Sequence, residues 1–253
     1  MIPGRPHGSA AGTNICPAYG MQPDEHPQKL AKLIESGLSA LSRSLSTNVP
    51  PSQNINIMSS VRPATEGQLA QDLPGITAYI TGHDKTSGDT IIRHTRPGKW
   101  QAVDNNGMAF NVPFTTSQFP VSMNNDADIS THDTRLASSK LGIVNPGGTV
   151  LRFVDFAPGF ESMMHRTQSL DYGIVIAGSI ELILDSGKRQ VLQQGDCCVQ
   201  RGTNHAWRNP SKDAWTRVAF ILQDAKPIEM GDGSVLKEDL GRSAGKIPSS
   251  GND

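Results

Sequence analysis

The chain has 253 residues, of which 36% are hydrophobic and 5% aromatic, against a globular norm of roughly 45–50% apolar that also counts glycine, so part of it must stay outside any packed core. A formal charge of -1 leaves no basic stripe for nucleic acid, and no run approaches the roughly 18 apolar residues of a membrane span. Cys16, Cys197 and Cys198 do not make a disulfide framework, and the N-terminus lacks the apolar core of a secretory signal; both point to reduced thiols and a cytoplasmic protein.

Residues 1–72 are rich in Pro, Gly, Ser, Asn and Gln, a composition that cannot offset its own ordering entropy, so this segment is expected to be largely disordered. Within it, Leu30, Leu33, Ile34, Leu38 and Leu41 recur at helical spacing and predict one short amphipathic helix over 27–46. From Leu73 the texture changes to short β-branched and apolar runs between Gly, Pro and Asn turn signals, which predicts a β-rich extension over 73–140. Its last part, 118–140, is polar and reads as a long connection with a turn of helix. His83, His94 and His132 fall in this region and are expected at the surface, since none has a paired spacing.

After Asn145-Pro146-Gly147-Gly148, short apolar runs follow at close intervals up to residue 224, separated by Gly159, Gly178, Gly187, Gly195 and Gly202. Many short strands with tight turns and no helical period predict an all-β sandwich or barrel over 141–224, including one strand from Glu161 to Thr167. Residues 225–253 turn polar again and read as a loose tail with one turn packed on the barrel.

Two histidines, His165 and His205, lie 40 residues apart in this region. Period-2 geometry puts Thr167 on the face of His165, puts Asp171, Gly173 and Val175 on one face, and puts His205, Trp207 and Asn209 on another. Gly173 is expected to leave room beside the site and Trp207 to form an apolar wall. Arg152, Arg166 and Arg217 also lie on barrel strands; Arg217 is expected either in a surface salt bridge or on a substrate carboxylate. Cys197 and Cys198 point to opposite faces and read as packing residues.

These residues carry a resemblance. Gly159-x5-His165-x-Thr167-x3-Asp171-x6-Gly178 and Gly195-x4-Gln200-x-Gly202-x2-His205-x3-Asn209 resemble the two motifs of the cupin superfamily, in order and spacing, over Thr149 to Leu222. The chain is similar to single-cupin proteins of fungi and bacteria, some of which belong to polyketide or other secondary-metabolite pathways. The resemblance implies a cupin-type jelly-roll barrel whose mouth holds a divalent metal, with homodimers formed through outer strands. It carries the ligand positions onto His165, Thr167, Asp171 and His205. Thr167 stands where the family has a histidine, Asp171 is one methylene shorter than the usual glutamate, and Gln200 replaces a proline in a second motif that is one residue short.

Two histidines and one carboxylate still suffice for an open metal site of iron, manganese, nickel or zinc. The same three groups also suit metal-free acid-base work, or a histidine that merely hydrogen-bonds in a core. The expectation is therefore an enzyme acting on a small oxygenated substrate. His165, Asp171 and His205 serve as metal ligands and reacting groups, with Thr167, Trp207 and Arg217 around the substrate. The reaction is a metal-assisted oxidation or, alternatively, a dehydration, decarboxylation or isomerisation. A non-catalytic barrel that binds a small ligand is the rival from another class.

Overall fold

The computed structural model describes residues 62–241 and 247–251, all within one compact unit, Ser59–Asp253. The helix expected over 27–46, and Cys16, lie outside the described residues.

Strands β1 (Thr77–His83) and β2 (Thr90–Pro97) form a hairpin. They are followed by β3 (Trp100–Val103), β4 (Met108–Thr116), helix α1 (Ala127–Ala137), β5 (Thr149–Phe156), β6 (Ser169–Ala177), β7 (Ser179–Leu184), β8 (Arg189–Gln193), β9 (Cys197–Arg201), β10 (His205–Arg208), β11 (Thr216–Asp224), β12 (Ile228–Glu229) and β13 (Val235–Leu236). Six strands make one antiparallel sheet in the order β3-β4-β5-β11-β6-β9, and a second sheet has the order β10-β7-β8. The two sheets close on a shared core that includes Val150, Val154, Val175, Ile180, Leu192, Trp207 and Phe220. Each such side chain taken from water contributes roughly 1.5–3 kcal/mol.

The chain crosses from one sheet to the other at Gly178. Its φ is 76°, and an added Cβ would come within 2.6 Å of the Thr216 hydroxyl, so only glycine fits this corner. Alternation then aims the side chains. Along β6, Asp171, Gly173 and Val175 point inward and are buried, while Tyr172 and Ile176 point outward and stay 42% and 39% exposed. Beside them on the edge strand β9, Val199 is 53% exposed.

Several expectations are corrected. The β-rich region 73–140 is joined to the main sheet through β3 and β4: β4 pairs with β5 from Met108↔Phe156 to Thr116↔Thr149. Residues 62–72 are packed as well, with Gln68 and Ala70 buried. The connection 118–140 holds the eleven-residue helix α1, with Asp128 in its first turn and Arg135 in its last, as the helix dipole favours. That helix buries Ile129 and His132. His132, expected at the surface, stacks on Phe114 with ring centroids 4.7 Å apart and accepts the Thr115 backbone N–H at 3.1 Å. The run Glu161–Thr167 makes isolated bridges to Arg208, His205 and Asp239 instead of a strand. Nor is the tail loose where it is described: Leu240 joins the core, and the Val144 N–H donates to the Ser250 hydroxyl at 3.0 Å.

Candidate functional site

His165 and His205 are clamped together by their own main chain. Each backbone N–H donates to the other's carbonyl at 2.8 Å, a reciprocal antiparallel pair, and the ring centroids lie 4.4 Å apart. On the far side of His165, Arg166 and Asp239 exchange two further 2.8 Å backbone bonds. A C-terminal residue therefore fixes the loop that carries the first histidine.

Each imidazole is also oriented from behind. His165 Nδ1 faces the Met163 carbonyl at 3.0 Å, and His205 Nδ1 faces the Thr203 carbonyl at 2.9 Å. A carbonyl only accepts, so both Nδ1 atoms carry the proton and both Nε2 atoms keep a free lone pair. Burial pushes the His165 pKa below its ordinary value. Burial and the adjacent His165 push His205 down to about 3. Both rings are neutral at pH 7.

Gln200, which replaces the family proline, has a structural part here. Its amide donates to the Thr203 carbonyl at 3.2 Å, the same oxygen that holds His205 Nδ1. Asn209 closes the motif: its amide donates to the carbonyls of Phe156, Ala157 and Ala214, tying the end of β10 to the end of β5.

Asp171 faces the same cavity but is engaged differently. The Thr167 hydroxyl donates to its Oδ2 at 3.2 Å, Oδ1 is buried, and the Ser169 hydroxyl also acts on the carboxyl. Burial, against the weaker pull of the Ser169 and Thr167 hydroxyls and of Arg152, raises its pKa to about 6. Among the described residues no three His, Cys, Asp or Glu side chains meet at one point. His165, Asp171 and His205, the expected ligand set, nevertheless line one cavity. Thr167 cannot supply the missing imidazole, and its hydroxyl bonds the short Asp171 carboxyl; the two neutral imidazoles remain as a pair.

The cavity has a volume of about 70 Å³, and its wall includes Met163, His165, Thr167, Asp171, His205 and Trp207. Trp207 meets His205 edge-on at 5.5 Å and Phe220 at 5.5 Å, so the site is apolar on that side. Gly173 leaves no free room beside it, contrary to expectation: an added Cβ would lie 2.9 Å from the Phe220 ring, and the ring already fills the space.

Arg217 neither lines this cavity nor sits at the surface. It is 1% exposed and faces out of the sheet, where its Nε and Nη2 bond the two oxygens of Asp155 at 2.6 and 2.7 Å. Nη1 donates to the Pro74 carbonyl at 2.6 Å, and the guanidinium lies 4.8 Å over the Trp100 ring. The substrate role expected of it is corrected on that geometry. The arginine in the cavity wall is Arg152, and its inward position on β5 was the available signal. Cys197 is exposed, while Cys198 is partly buried and is packed against the core.

The profile described as Cupin domain matches residues 152–221. Phomopsin biosynthesis cluster protein D of Diaporthe leptostromiformis is 47% identical over 159 residues, which are 62% of this chain and 82% of that protein. Oryzines biosynthesis cluster protein J of Aspergillus oryzae is 38% identical over 178 residues, 70% of this chain and 96% of the relative. The cupin-domain-containing oxidoreductase virC of Hypocrea virens is 38% identical over 156 residues, 61% of this chain and 78% of that one.

Proposed function

This chain belongs to the cupin-domain family, and from that premise we propose that it is an enzyme of fungal secondary metabolism that moves protons on a small oxygenated organic substrate. The reaction class is a lyase or isomerase step, such as dehydration. The observation that carries this reading is the tautomer of the histidine pair: both Nδ1–H groups are spent on backbone carbonyls, so two neutral Nε2 bases face an apolar cavity.

In this mechanism an Nε2 lone pair takes a proton from the carbon or hydroxyl next to the substrate carbonyl, and the backbone carbonyl behind the ring stabilises the imidazolium that forms. Asp171, with its carboxyl shifted to about 6, returns a proton to the leaving or receiving oxygen. Trp207 and Phe220 keep bulk water from the reacting atoms, which strengthens each electrostatic contact. A base and an acid with pKa values pushed apart by their surroundings is the pattern such chemistry needs.

The test is a panel of β-hydroxy carbonyl compounds in deuterated buffer, followed by proton NMR for elimination and for solvent exchange at the acidic carbon. Wild-type turnover should fall by about 10²–10⁴ in His165→Gln or His205→Gln. Its kcat/KM should decline as pH rises through about 6. Full turnover in both histidine variants would end the reading.

A second reading, a metal-assisted oxidoreductase, is favoured by the two adjacent Nε2 lone pairs and by the name that relatives such as virC carry. Near-stoichiometric iron, manganese, nickel or zinc, measured by elemental analysis and lost in a His165→Ala/His205→Ala double variant, would replace the first reading with the second. A homodimer built on the outward face of Tyr172, Ile176 and Val199 accompanies either one. Val199→Lys, followed by light scattering, tests it.

A further inference from the structure

Arg152 projects inward from β5 and is 5% exposed. Among the described residues its guanidinium makes one hydrogen bond, from Nη2 to the Gly142 carbonyl at 2.9 Å, and its buried Nε has no partner. Asp171 acts on it only through charge. The guanidinium lies 4.8 Å over the Phe110 ring centroid. A buried charge with unfilled donors is costly, and proteins pair such groups or remove them unless a ligand completes them.

Its position gives the ligand a direction. Arg152, Phe110 and Ile247 line both the 70 Å³ cavity of the imidazoles and an open cleft of about 800 Å³ beside β3, β4 and α1. The inner space is far below the roughly 300–1,000 Å³ of a small-molecule site, so only the reacting end of a substrate fits inside. The remainder has room in the cleft. At the wall between them stands a planar fork of N–H donors, the group best matched to two coplanar oxygens.

We propose that Arg152 is the substrate anchor of this enzyme and selects organic carboxylates, holding the carboxylate at the junction of cavity and cleft. This rests on reading the cavity as the reaction site, and it names the substrate class that site accepts. The anchored carboxylate places the adjoining carbon toward His165 and His205 and leaves the bulk of the molecule in the cleft. Arg152 thereby sets specificity, while the imidazoles carry the proton transfer.

The test uses the full chain and two probe pairs, acetate with acetamide and benzoate with benzamide, followed by saturation-transfer NMR. The carboxylates should bind about 10- to 100-fold more tightly than their neutral amides. Arg152→Met should abolish that preference, and Arg152→Lys should restore part of it. Equal affinity for acid and amide, no carboxylate binding to the wild type, or an unchanged preference in Arg152→Met would overturn the proposal. If Arg152→Met does not fold, the Arg152 Nε–H resonance of the wild type decides: a shift on adding benzoate supports the anchor, and no shift overturns it. These readouts need no turnover. Carboxylate selection that depends on Arg152 without any turnover leaves the anchor standing and removes the enzyme reading; turnover with no Arg152-dependent selection does the reverse.

Discussion

One sheet carries two arginine–aspartate neighbourhoods on its opposite faces, and they are built to different ends. On the outer face, Arg217 and Asp155 come from directly paired positions of β11 and β5. They satisfy each other with two short bonds, and Pro74 and Trp100 complete the guanidinium. On the inner face, Arg152 and Asp171 line one cavity without a direct bond between them, and the Arg152 Nε is buried without a partner. The closed pair holds structure together. The open pair keeps polar groups available where the two imidazoles also point.

The comparison breaks most visibly at Asp155. Asp155→Ala leaves Arg217 buried without its counter-charge, and stability should fall by about 3–5 kcal/mol in urea unfolding followed by circular dichroism. A loss below about 1 kcal/mol would show that the outer pair is not the structural one.

Asp171→Asn should move stability the other way, and only above about pH 4. The folded pKa of Asp171 is raised from 3.8 to about 6, so the stabilisation it gives is fully present below 3.8 and lost as pH rises through 6. The Asn variant escapes that loss. Its advantage over the wild type should be absent near pH 3.5, open between pH 4 and 6, and level off at about 1–3 kcal/mol above that range. His165 and His205, with depressed pKa values, act in the opposite sense: both proteins lose stability as pH falls below 6.5. Melting curves from pH 3.5 to 8 separate the two limbs.

Gln200→Ala removes the amide that steadies the Thr203 carbonyl and should cost about 1 kcal/mol. The His205 ring resonances should broaden while those of His165 stay sharp. Arg152→Met is expected to change stability least, within about 1 kcal/mol, because an open charge is exchanged for an apolar side chain of similar length. A loss as large as that of Asp155→Ala would erase the distinction between the two faces.

The inward set of the two motifs was legible because it is local. Strand alternation and fixed spacing decide which side Asp171, His205 and Trp207 face, and those positions line the cavity. What alternation cannot supply is the partner across the sheet. Arg217 and Asp155 lie 62 residues apart, and their union depends on strand register, so Arg217 could be read as a surface or substrate residue. His132 was misplaced for the same reason, since its burial needs α1 to dock on β4. Asp239 joins the site from 73 residues beyond Arg166, through backbone bonds that no side-chain pattern announces. The contact between Asp171 and Thr167 lies on a finer scale: the short carboxyl and the hydroxyl are visible in the sequence, but their mutual hydrogen bond is not.

The reciprocal bridge between His165 and His205 has a consequence for how this cavity can change. At His165 and His205 the two segments are registered by peptide groups, so the side chains at those two positions can be exchanged without releasing the frame that aims them. Lineages, or a designer, can therefore rewrite the chemistry of the pocket one position at a time.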